Sequence, residues 1–461
     1  MIQYDNILDQ NPWWQSSDNV PLEARWHRRK IFDIINADLQ KNLVLMITGL
    51  RRTGKSTIVR QLIARLLENG IDAKNILYFP FDKYALDKSP EALETLIKMY
   101  LERGIRKKIF EIDCKVYLFI DEIQYVDYWQ DIVKRYYDQN KNLKFILTGS
   151  QSTKLKGKSK ESLAGRVIEY HLPVLDYGEY LEISEEECSF QPAWDFNFLR
   201  EGYEDLYAYH YRFGVELEAR MPAYLCYGQF PEIALQRDDL KFGYEYIKES
   251  VLGKILEQDL PNHYGIERVQ PFKDMAHHLL TNSGSIFQIK NIGSELGIAK
   301  ATAEKYLFYL KEGFLIEVLY KYLKSNIKKG RALKKVYATS TNFIAAINKF
   351  QLDYYNNVPN VFGKLIETYV WQRLVKRFED LALWKSGDQE VDFVIPAMPG
   401  NGHMLLVEVK FTSRIRNDEL KYILSLAGKK KCSQILLVTK DKLDKKVMSG
   451  VETYFIPYYL M

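Results

Sequence analysis

The segment that most constrains the fold of this chain begins at residue 43. Residues 43–47 (LVLMI) form an apolar run typical of a buried strand, and residues 49–56 (GLRRTGKS) match the pattern GxxxxGK[ST] at every fixed position. The residues that follow, STIVRQLIARLLENG, have the periodicity of a helix. A strand, a glycine-containing loop and a helix in direct succession present backbone N–H groups and a helix N-terminus to an anion. The sequence therefore predicts a phosphate-binding loop in an α/β domain.

The side chains of this loop have predicted roles in binding a nucleoside triphosphate. Lys55 is expected to contact the β- and γ-phosphates and to neutralise their charge, which makes it both a binding and a catalytic residue. Ser56 is expected to ligate Mg²⁺. The other predicted nucleotide contacts are Gly49, Arg51, Arg52, Thr53, Gly54, Thr57 and Thr148.

A second apolar segment, residues 116–120, ends in two acidic residues, Asp121 and Glu122. Downstream of a phosphate-binding loop, this pattern is typical of the strand that supplies acidic groups for hydrolysis. Asp121 is expected to hold Mg²⁺ through water, and Glu122 is expected to polarise the attacking water as a general base. A further strand is predicted over residues 145–148. It ends at Thr148-Gly149-Ser150, where a polar side chain is expected to sense the γ-phosphate; a simple turn is the alternative.

Composition places the chain among globular, multidomain proteins. At about 150 residues per domain, 461 residues predict roughly three domains, and 47% apolar with 27% charged residues excludes a largely disordered chain. The formal net charge of +5 is too small to indicate nucleic-acid binding by itself. No apolar stretch approaches the roughly 20 residues of a membrane span, so we expect no membrane association and a cytoplasmic location. The cysteines form no CxxC pair and fit a reducing compartment: Cys114, Cys188, Cys226 and Cys432.

The apolar pattern divides the chain into four predicted domains of a multidomain α/β protein. Strands alternating with helices over residues 1–175 predict a parallel-sheet nucleotide-binding domain, which a helix over residues 24–40 introduces. Residues 176–275 have helical periodicity and predict a lid or connector. Residues 276–350 contain helices joined by a short glycine-containing turn and followed by a strand, the pattern of a winged helix-turn-helix. Residues 351–461 predict a small mixed α/β domain.

Taken together, the motifs resemble the AAA-type ATPases of bacteria and archaea that lie near the signalling STAND ATPases and carry a C-terminal domain of unknown function. The resemblance covers nearly the whole chain and rests on GLRRTGKST, YLFIDEIQ, LTGSQS, SLAGR, YGQFPE and the tail segments GKLIETYVWQRL, EVDFVI and VEVK. It implies that ATP and Mg²⁺ bind at the loop and at the acidic strand, with Thr148 and Ser150 at the sensor strand end. It also implies that Arg166, in SLAGR, acts as a catalytic residue at the nucleotide of a neighbouring copy, so that a homo-oligomer is expected. A plain surface arginine is the alternative.

A separate candidate site lies in the last hundred residues. Asp392 lies in the alternating segment EVDFV, and Glu408 and Lys410 lie on the next predicted strand. Because side chains alternate along a strand, Glu408 and Lys410 face the same side, and a hairpin brings Asp392 to them. This arrangement resembles the core of the PD-(D/E)XK nucleases, with Glu367 on the preceding helix as a fourth member. The resemblance implies that Glu367, Asp392 and Glu408 hold Mg²⁺, that Asp392 and Glu408 are catalytic, and that Lys410 activates the attacking water.

The nuclease-like segment departs from the nuclease pattern because no proline precedes Asp392. Two interpretations therefore stay open for it: an active nuclease, or an inactive module used for DNA docking or assembly. The predicted recognition helix of the winged helix-turn-helix carries Lys300, Lys305 and Lys311 but also Glu304, which favours phosphate contact over base reading.

The sequence predicts an ATP-hydrolysing protein that acts on branched or single-stranded DNA through its winged-helix and nuclease-like domains. The alternative is a nucleotide-gated signalling or regulatory switch that binds a protein partner, in which the nuclease-like domain is inactive. The two interpretations differ in whether nucleic acid stimulates ATP turnover.

Overall fold

The computed structural model describes ten segments of the chain: residues 2–16, 18–84, 89–150, 163–184, 202–236, 239–323, 333–352, 359–398, 402–430 and 432–461. The last two residues of LTGSQS and the first residue of SLAGR lie outside them. Two compact units are present, Met1–Pro173 with Glu312–Phe314, and Val174–Lys311 with Leu315–Met461. The segments predicted as lid, winged helix and nuclease-like domain belong to the second unit, except for Glu312–Phe314 within the predicted winged helix.

A five-stranded parallel sheet forms the centre of the first unit. Its strands pair in the order β2-β3-β4-β1-β5, and every pairing is parallel. The carboxyl ends of β1, β3 and β4 therefore meet at one edge of the sheet, and the predicted parallel α/β sheet is confirmed. The bounds of the strands are β1 Val44–Thr48, β2 Ile76–Pro80, β3 Val116–Asp121, β4 Leu143–Gly149 and β5 Val167–His171.

Among the described residues of this unit, five α-helices and several short 3₁₀ segments surround the sheet. The helices are α1 Tyr4–Gln10, α2 Phe32–Asp38, α3 Lys55–Glu68, α4 Pro90–Met99, which continues as a π-helix over Tyr100–Ile105, and α5 Trp129–Gln139. The 3₁₀ segments are Pro12–Trp14, Leu22–Arg25, Ala73–Asn75, Phe81–Tyr84, Ile109–Glu111 and Ile123–Tyr125. Apolar side chains of α3, including Ile58, Leu62 and Leu66, are buried in the core that the sheet shares with its helices.

The helix predicted over residues 24–40 is wrong in its extent, because only α2 is α-helical within it. The carbonyl oxygens of Trp26 and His27 accept hydrogen bonds from the side chain of Gln61, on α3, at 2.9 and 3.4 Å. These carbonyls bond to a neighbouring helix instead of to a following turn of their own, so the chain runs irregularly along α3 before α2 begins.

The second unit begins with helices, and further helices lie between its strands. In chain order the helices are α6 Tyr177–Ile183, α7 Tyr203–Cys226, α8 Pro231–Leu235, α9 Leu240–Glu245, α10 Leu260–Tyr264, α11 Val269–Thr281, α12 Ile289–Glu295, α13 Lys300–Glu312, α14 Thr341–Asn348, α15 Pro359–Val375 and α16 Asn417–Lys430. Two π-helices, Tyr246–Gly253 and Ile255–Asp259, lie between α9 and α10. Over the part of the chain that the structure describes, no helix combines the length and apolarity needed to span a bilayer.

The YGQFPE motif has a structural role in the second unit. The buried side chain of Gln229 accepts hydrogen bonds from the hydroxyl of Ser340 at 2.7 Å and the backbone N–H of Thr341 at 3.0 Å. Its amide nitrogen donates to the side chain of Gln372, on α15, at 3.2 Å, and its backbone N–H donates to the side chain of Asn342 at 2.8 Å. Gln229 therefore fastens the end of α7 to the start of α14 and to α15.

Two sheets complete the second unit. Strands β6 and β7 form an antiparallel pair that follows α11, α12 and α13, and an isolated bridge joins Ile286 to Lys335 on β7. A six-stranded mixed sheet has the order β12-β13-β11-β10-β9-β8, and a bridge between Lys321 and Leu383 links it to the end of β6. The bounds are β6 Ile316–Tyr320, β7 Lys334–Ala338, β8 Ala382–Ser386, β9 Gln389–Ile395, β10 Leu405–Lys410, β11 Gln434–Thr439, β12 Asp444–Met448 and β13 Val451–Pro457.

Candidate functional site

Two glycines shape the loop that joins the end of β1 to the first turn of α3. Gly49 has a φ of +148°, and a Cβ added there would lie 2.2 Å from the carbonyl oxygen of Leu172. Gly54 has a φ of +99° and is the N-cap of α3. Glycine adopts such angles without the strain that other residues incur. The loop can therefore turn tightly ahead of the N-terminus of α3, where the helix dipole favours a bound anion.

The ammonium group of Lys55 lies among the polar groups of this loop. It donates to the carbonyl oxygens of Gly49 at 3.1 Å and Leu50 at 2.9 Å, and to the hydroxyl of Ser150 at 3.0 Å. Its nitrogen lies 3.8 Å from a carboxylate oxygen of Glu122. Only 4% of Lys55 is exposed. The structure thus holds one cation between the loop and the acidic end of β3.

The other predicted loop residues lie around the start of α3. Arg51 donates to the hydroxyl of Tyr125 at 2.9 Å, just beyond the acidic pair, and Arg52 has a φ of +65°. The hydroxyl of Thr53 donates to a carbonyl oxygen of the loop at 2.9 Å, and Thr57 lies in the first turn of the helix. The predicted nucleotide contacts are therefore adjacent in space as well as in sequence.

Asp121, the last residue of β3, is surrounded by hydroxyl groups. Those of Ser56, Tyr78 and Thr148 donate to its carboxylate, that of Tyr78 at 3.0 Å. Burial raises the pKa of Asp121, and the neighbouring Glu122 carboxylate raises it further. Two of the predicted Mg²⁺ ligands, the hydroxyl of Ser56 and the carboxylate of Asp121, are thus neighbours. Hard oxygen donors of this kind are the ligands that Mg²⁺ takes.

Glu122 has an unusual backbone and an ionised side chain. Its φ is +54°, a left-handed conformation that costs a non-glycine residue about 1 kcal/mol. Its N–H donates to the hydroxyl of Thr148 at 2.9 Å, and the hydroxyl of Ser150 lies 2.7 and 2.8 Å from its two carboxylate oxygens. Burial alone raises the pKa of Glu122, but the ammonium of Lys55 and hydrogen bonds from Gln124 and Ser150 hold it below its ordinary value. An ionised, fixed carboxylate can accept a proton from water.

Arg29 contacts the backbone of the loop. This residue was not among the predicted site residues. It is 5% exposed, and its guanidinium donates to the carbonyl oxygen of Thr53 at 2.7 Å and to that of Pro173 at 3.0 Å. Arg29 therefore joins the backbone of the loop to the last residue of the continuous segment Met1–Pro173 of the first unit. Its only signal in the sequence is the basic run that precedes α2.

Asp82 is a third acidic residue near the nucleotide site, and the sequence analysis missed it. It follows β2, which pairs with β3 in parallel, so that Pro80 is in register with Asp121. Desolvation raises the pKa of Asp82, and the negative charges of Glu122 and Asp121 raise it further, although the residue keeps contact with solvent. Its position after a strand adjacent to the acidic strand is the signal that could have identified it, because such strand ends share an edge.

Arg166 lies away from the loop of its own chain. Its carbonyl oxygen accepts the N–H of Val44, the first residue of β1, whereas the phosphate-binding loop follows the last residue of β1. A strand of five residues spans about 16 Å. The guanidinium of Arg166 forms an ion pair with Asp138, with N–O distances of 3.0 and 3.3 Å. Arg166 therefore lies near the opposite edge of the sheet from Lys55.

The predicted C-terminal residues are brought together at β9, β10 and α15. The N–H of Asp392 donates to a carboxylate oxygen of Glu408 at 3.3 Å, and the N–H of Val409 donates to Asp392 at 2.8 Å. Lys410 forms an ion pair with Glu408 at 2.7 Å. The charge of Asp392 also acts on Glu367 of α15, whose pKa it raises.

A lysine that the sequence analysis did not single out lies within this cluster. The ammonium of Lys335, on β7, is 2.9 Å from a carboxylate oxygen of Glu367, 2.6 Å from one of Glu390 and 3.7 Å from one of Asp392. Tyr337, two positions along the same strand, donates to Glu367 at 2.8 Å. Burial lowers the pKa of Lys335, but the surrounding carboxylates hold it above its ordinary value. Lys335 is therefore a fully charged, buried partner of three acidic groups.

Burial and mutual repulsion raise the pKa values of two cluster carboxyls. Burial, followed by the charge of Asp392, raises the pKa of Glu367 to about 7 and that of Glu408 to about 8. The charges of Lys335 and Lys410 oppose these shifts at Glu367 and Glu408 respectively. Within the described residues, no three acidic, histidine or cysteine side chains are grouped as a protein-only metal site requires.

The shift at Glu408 predicts a pH-dependent effect of Glu408→Gln. Because the pKa of folded Glu408 is raised from 4.5 to about 8, its contribution to stability is fully present below about pH 4.5 and is lost as pH rises through about 8. Glutamine stays neutral and avoids that loss. The stability of Glu408→Gln relative to the wild type should therefore increase by about 1–3 kcal/mol between pH 5 and about 9.

Urea unfolding of both proteins at several pH values measures this difference. Glu419→Gln, at a more exposed position on α16, serves as the matched control and should show no such trend. A difference between Glu408→Gln and wild type that is the same at every pH would contradict the raised pKa.

Three segments of the chain match known protein families. Residues 41–181 match the family model of an AAA domain. Residues 218–352 and 362–459 match two domains of unknown function, DUF8612 and DUF4143 respectively. With the parallel sheet, the loop and the acidic strand already described, the first match identifies residues 41–181 as an AAA-type P-loop ATPase domain.

The alignments with sequence relatives cover most of this chain. An uncharacterized protein of Haemophilus influenzae is 23% identical over 425 residues, which is 91% of this chain and 94% of the relative. An uncharacterized protein of Methanocaldococcus jannaschii is 27% identical over 372 residues, covering 78% of this chain and 75% of the relative. Among solved structures, that of C. elegans PCH-2 is similar over 50% of this chain and 71% of its own, with 11% identity and a TM-score of 0.31. A TM-score of this size does not establish a common fold.

Proposed function

We propose that this protein is an ATP hydrolase that uses Mg²⁺ and couples ATP turnover to the binding of DNA by its second unit. The observation that carries the ATPase proposal is the polar network at the carboxyl edge of the sheet. There, Lys55 and Ser150 contact Glu122, and Ser56 and Thr148 contact Asp121. A phosphate-binding cation, a base and a pair of oxygen ligands are the groups that phosphoryl transfer to water requires.

Each residue of this network has a distinct role in the proposed reaction. The ammonium of Lys55 exchanges its contacts with two loop carbonyls for phosphate oxygens and stabilises their charge. Glu122, kept ionised, orients a water molecule and accepts its proton at a carboxylate oxygen. Ser150 and Thr148 fix the position of Glu122 through its side chain and its backbone.

The residues at the carboxyl edge fit the Mg²⁺ that an AAA-type ATPase domain uses. Ser56 and Asp121 would hold the ion with their hydroxyl and carboxylate oxygens, since Mg²⁺ is bound by one or two such groups together with substrate phosphates. When bound, Mg²⁺ neutralises the charge that develops on the phosphate oxygens. Thr148 and Tyr78 hold the Asp121 carboxylate in place through hydrogen bonds.

The order of elements in the second unit supports the DNA part of the proposal. Helices α11, α12 and α13 are followed by the antiparallel pair β6 and β7, and Ile286 adds a bridge to β7, an order that matches a winged helix-turn-helix. The sequence between β6 and β7 is basic, with Lys324, Lys328, Lys329 and Arg331. Basic residues at such a point of the sequence can contact phosphates without reading bases.

A protein-binding switch is the second candidate function, and one observation favours it. On α13, Lys300 lies 3.3 Å from Glu304 and Lys311 lies 3.4 Å from Glu317, so two of the three lysines of this helix have acidic partners. Such pairing weakens a phosphate-binding surface.

The rate of ATP turnover with and without nucleic acid distinguishes the two functions. The DNA proposal predicts a faster rate with single-stranded, duplex or branched DNA, an effect that weakens as salt rises. Lys305→Glu should remove the stimulation and leave the basal rate unchanged, whereas Lys241→Glu, at an exposed position on α9, should keep it. An equal rate with every nucleic acid would support the switch instead.

We propose that Arg166 completes the nucleotide site of a neighbouring copy, as its position at the edge away from Lys55 supports. Turnover per subunit should then rise with protein concentration in the wild type. Arg166→Ala should lower the plateau rate by about 1,000-fold, because an arginine supplied in trans stabilises transition-state charge. The lost ion pair with Asp138 is partly exposed, so its loss should change stability little.

Sedimentation and turnover measured over a range of concentrations test the role of Arg166. Arg135→Ala is the matched control, since it also removes a partly exposed arginine that pairs with an acidic residue of the same unit. A monomeric wild type whose rate per subunit is constant, or an Arg166→Ala variant of full activity, would contradict the proposal.

A further inference from the structure

The geometry points to Lys335 as the cation of the C-terminal carboxylate cluster, at the position that a metal ion would otherwise occupy. We infer that this cluster is a lysine-neutralised ionic lock that fastens β7 to β9 and α15, and that it works without a divalent cation. The inference concerns the second unit alone and does not depend on the proposed ATPase function.

The position of the ammonium is the first argument. Lys335 is 3% exposed, and its nitrogen is within 3.7 Å of carboxylate oxygens from Glu367, Glu390 and Asp392. These groups come from one helix and one strand, and two of them are residues that the nuclease resemblance assigns to Mg²⁺. A metal ion placed among the same oxygens would meet the ammonium, since both cations require the same acidic partners.

The surroundings of Glu367 are the second argument. Tyr337 donates to the oxygen of Glu367 that also pairs with Lys335. On the other side, a Cβ added to Gly284 would lie 3.2 Å from both carboxylate oxygens, so backbone is packed closely against this group. Glu367 is therefore held by a strand, a hydroxyl and a packed turn, which leaves little freedom for it to turn toward a metal ion.

Two more lysines offset most of the remaining negative charge. Lys385 pairs with Glu390 at 3.1 Å, and Lys410 pairs with Glu408 at 2.7 Å. Together with Lys335, these lysines give three positive charges against the four carboxyl groups of Glu367, Glu390, Asp392 and Glu408. Since the Val409 N–H also donates to Asp392, the cluster has the partners it needs from the chain itself.

Metal binding by the nucleotide-free full-length protein is the first test. Mn²⁺ is titrated into the wild type and into Asp392→Asn, and free Mn²⁺ is followed by electron paramagnetic resonance. We expect the two titrations to coincide, because the wild-type cluster has no place for the ion. One Mn²⁺ bound per wild-type chain and lost in Asp392→Asn would overturn the inference, and it would support the metal site of a nuclease.

The stability of lysine variants is the second test. Lys335→Met leaves three acidic groups without their shared cation, and its Tm should fall by roughly 10 °C. Lys385→Met, which removes a more exposed partner of Glu390 alone, should change the Tm by no more than about 2 °C. Adding Glu367→Gln to Lys335→Met should recover part of the loss, because it removes one of the unpaired charges.

Mn²⁺ should raise the Tm of Lys335→Met by more than that of the wild type, since only the variant has a vacant cation position in the C-terminal cluster. Equal Tm values for Lys335→Met and the wild type would overturn the inference. If Lys335→Met does not fold, the lock is supported by that loss, and the titrations of wild type and Asp392→Asn still decide whether a metal ion shares the cluster.

Discussion

Lys55→Ala should lower ATP turnover by at least about 100-fold, which corresponds to about 3 kcal/mol of lost transition-state stabilisation. The ammonium is the cation that the structure places between the loop carbonyls and Glu122, and alanine supplies no charge there. Removing it also takes away the cation that contacts the phosphate oxygens in the proposed complex, so the loop itself should bind nucleotide weakly. Phosphate release under saturating ATP and Mg²⁺ measures the effect.

Arg65→Ala is the matched control for Lys55→Ala. It removes a cation from the same helix, at a site where the side chain is 44% exposed and pairs with Glu68. Its turnover should equal that of the wild type. A folded Lys55→Ala protein, judged by an unchanged melting curve, that keeps wild-type turnover would show that this loop does not bind the reacting phosphates.

Glu122→Gln should keep ATP binding and lower the hydrolysis rate by roughly 100- to 10,000-fold. Glutamine retains the shape of the side chain and an oxygen for the Ser150 hydroxyl, but its amide does not accept the proton of the attacking water. The left-handed backbone of Glu122 is no harder for glutamine to adopt, so the loop after β3 should be preserved. Single-turnover hydrolysis with excess enzyme separates the chemical step from binding.

Glu68→Gln, at the exposed end of α3, is the control for Glu122→Gln and should hydrolyse ATP at the wild-type rate. Wild-type hydrolysis by Glu122→Gln would assign the base to another group. Asp82 is then the next acidic residue to replace, because the charges of Glu122 and Asp121 act on its carboxyl group.

Much of the structure of the first unit can be predicted from its sequence. The strand, loop and helix around residues 49–56 and the acidic end of β3 are local patterns, and parallel pairing of successive strands then brings their ends together. The role of Arg29 could not be predicted from local patterns, because its partners are the backbone carbonyls of Thr53 and Pro173. Every residue has a backbone carbonyl, so the sequence does not show which ones accept a hydrogen bond.

Local sequence patterns predict only part of the C-terminal cluster. Strand alternation and a hairpin placed Asp392, Glu408 and Lys410 together, since all three lie on two neighbouring strands. Lys335 comes from a strand that precedes them by more than fifty residues and belongs to a separate two-stranded sheet. Only the packing of β7 against α15 and β9 brings its ammonium to the carboxylates, and no periodicity in the chain predicts that packing.

The identity of the nucleotide retained by three proteins tests the central claim most directly. Wild type, Lys55→Ala and Glu122→Gln are each incubated with ATP and Mg²⁺, separated from free nucleotide and analysed by chromatography. We expect ADP on the wild type, intact ATP on Glu122→Gln and almost no nucleotide on Lys55→Ala. The same nucleotide, in the same amount, on all three proteins would contradict an ATPase site built from Lys55 and Glu122.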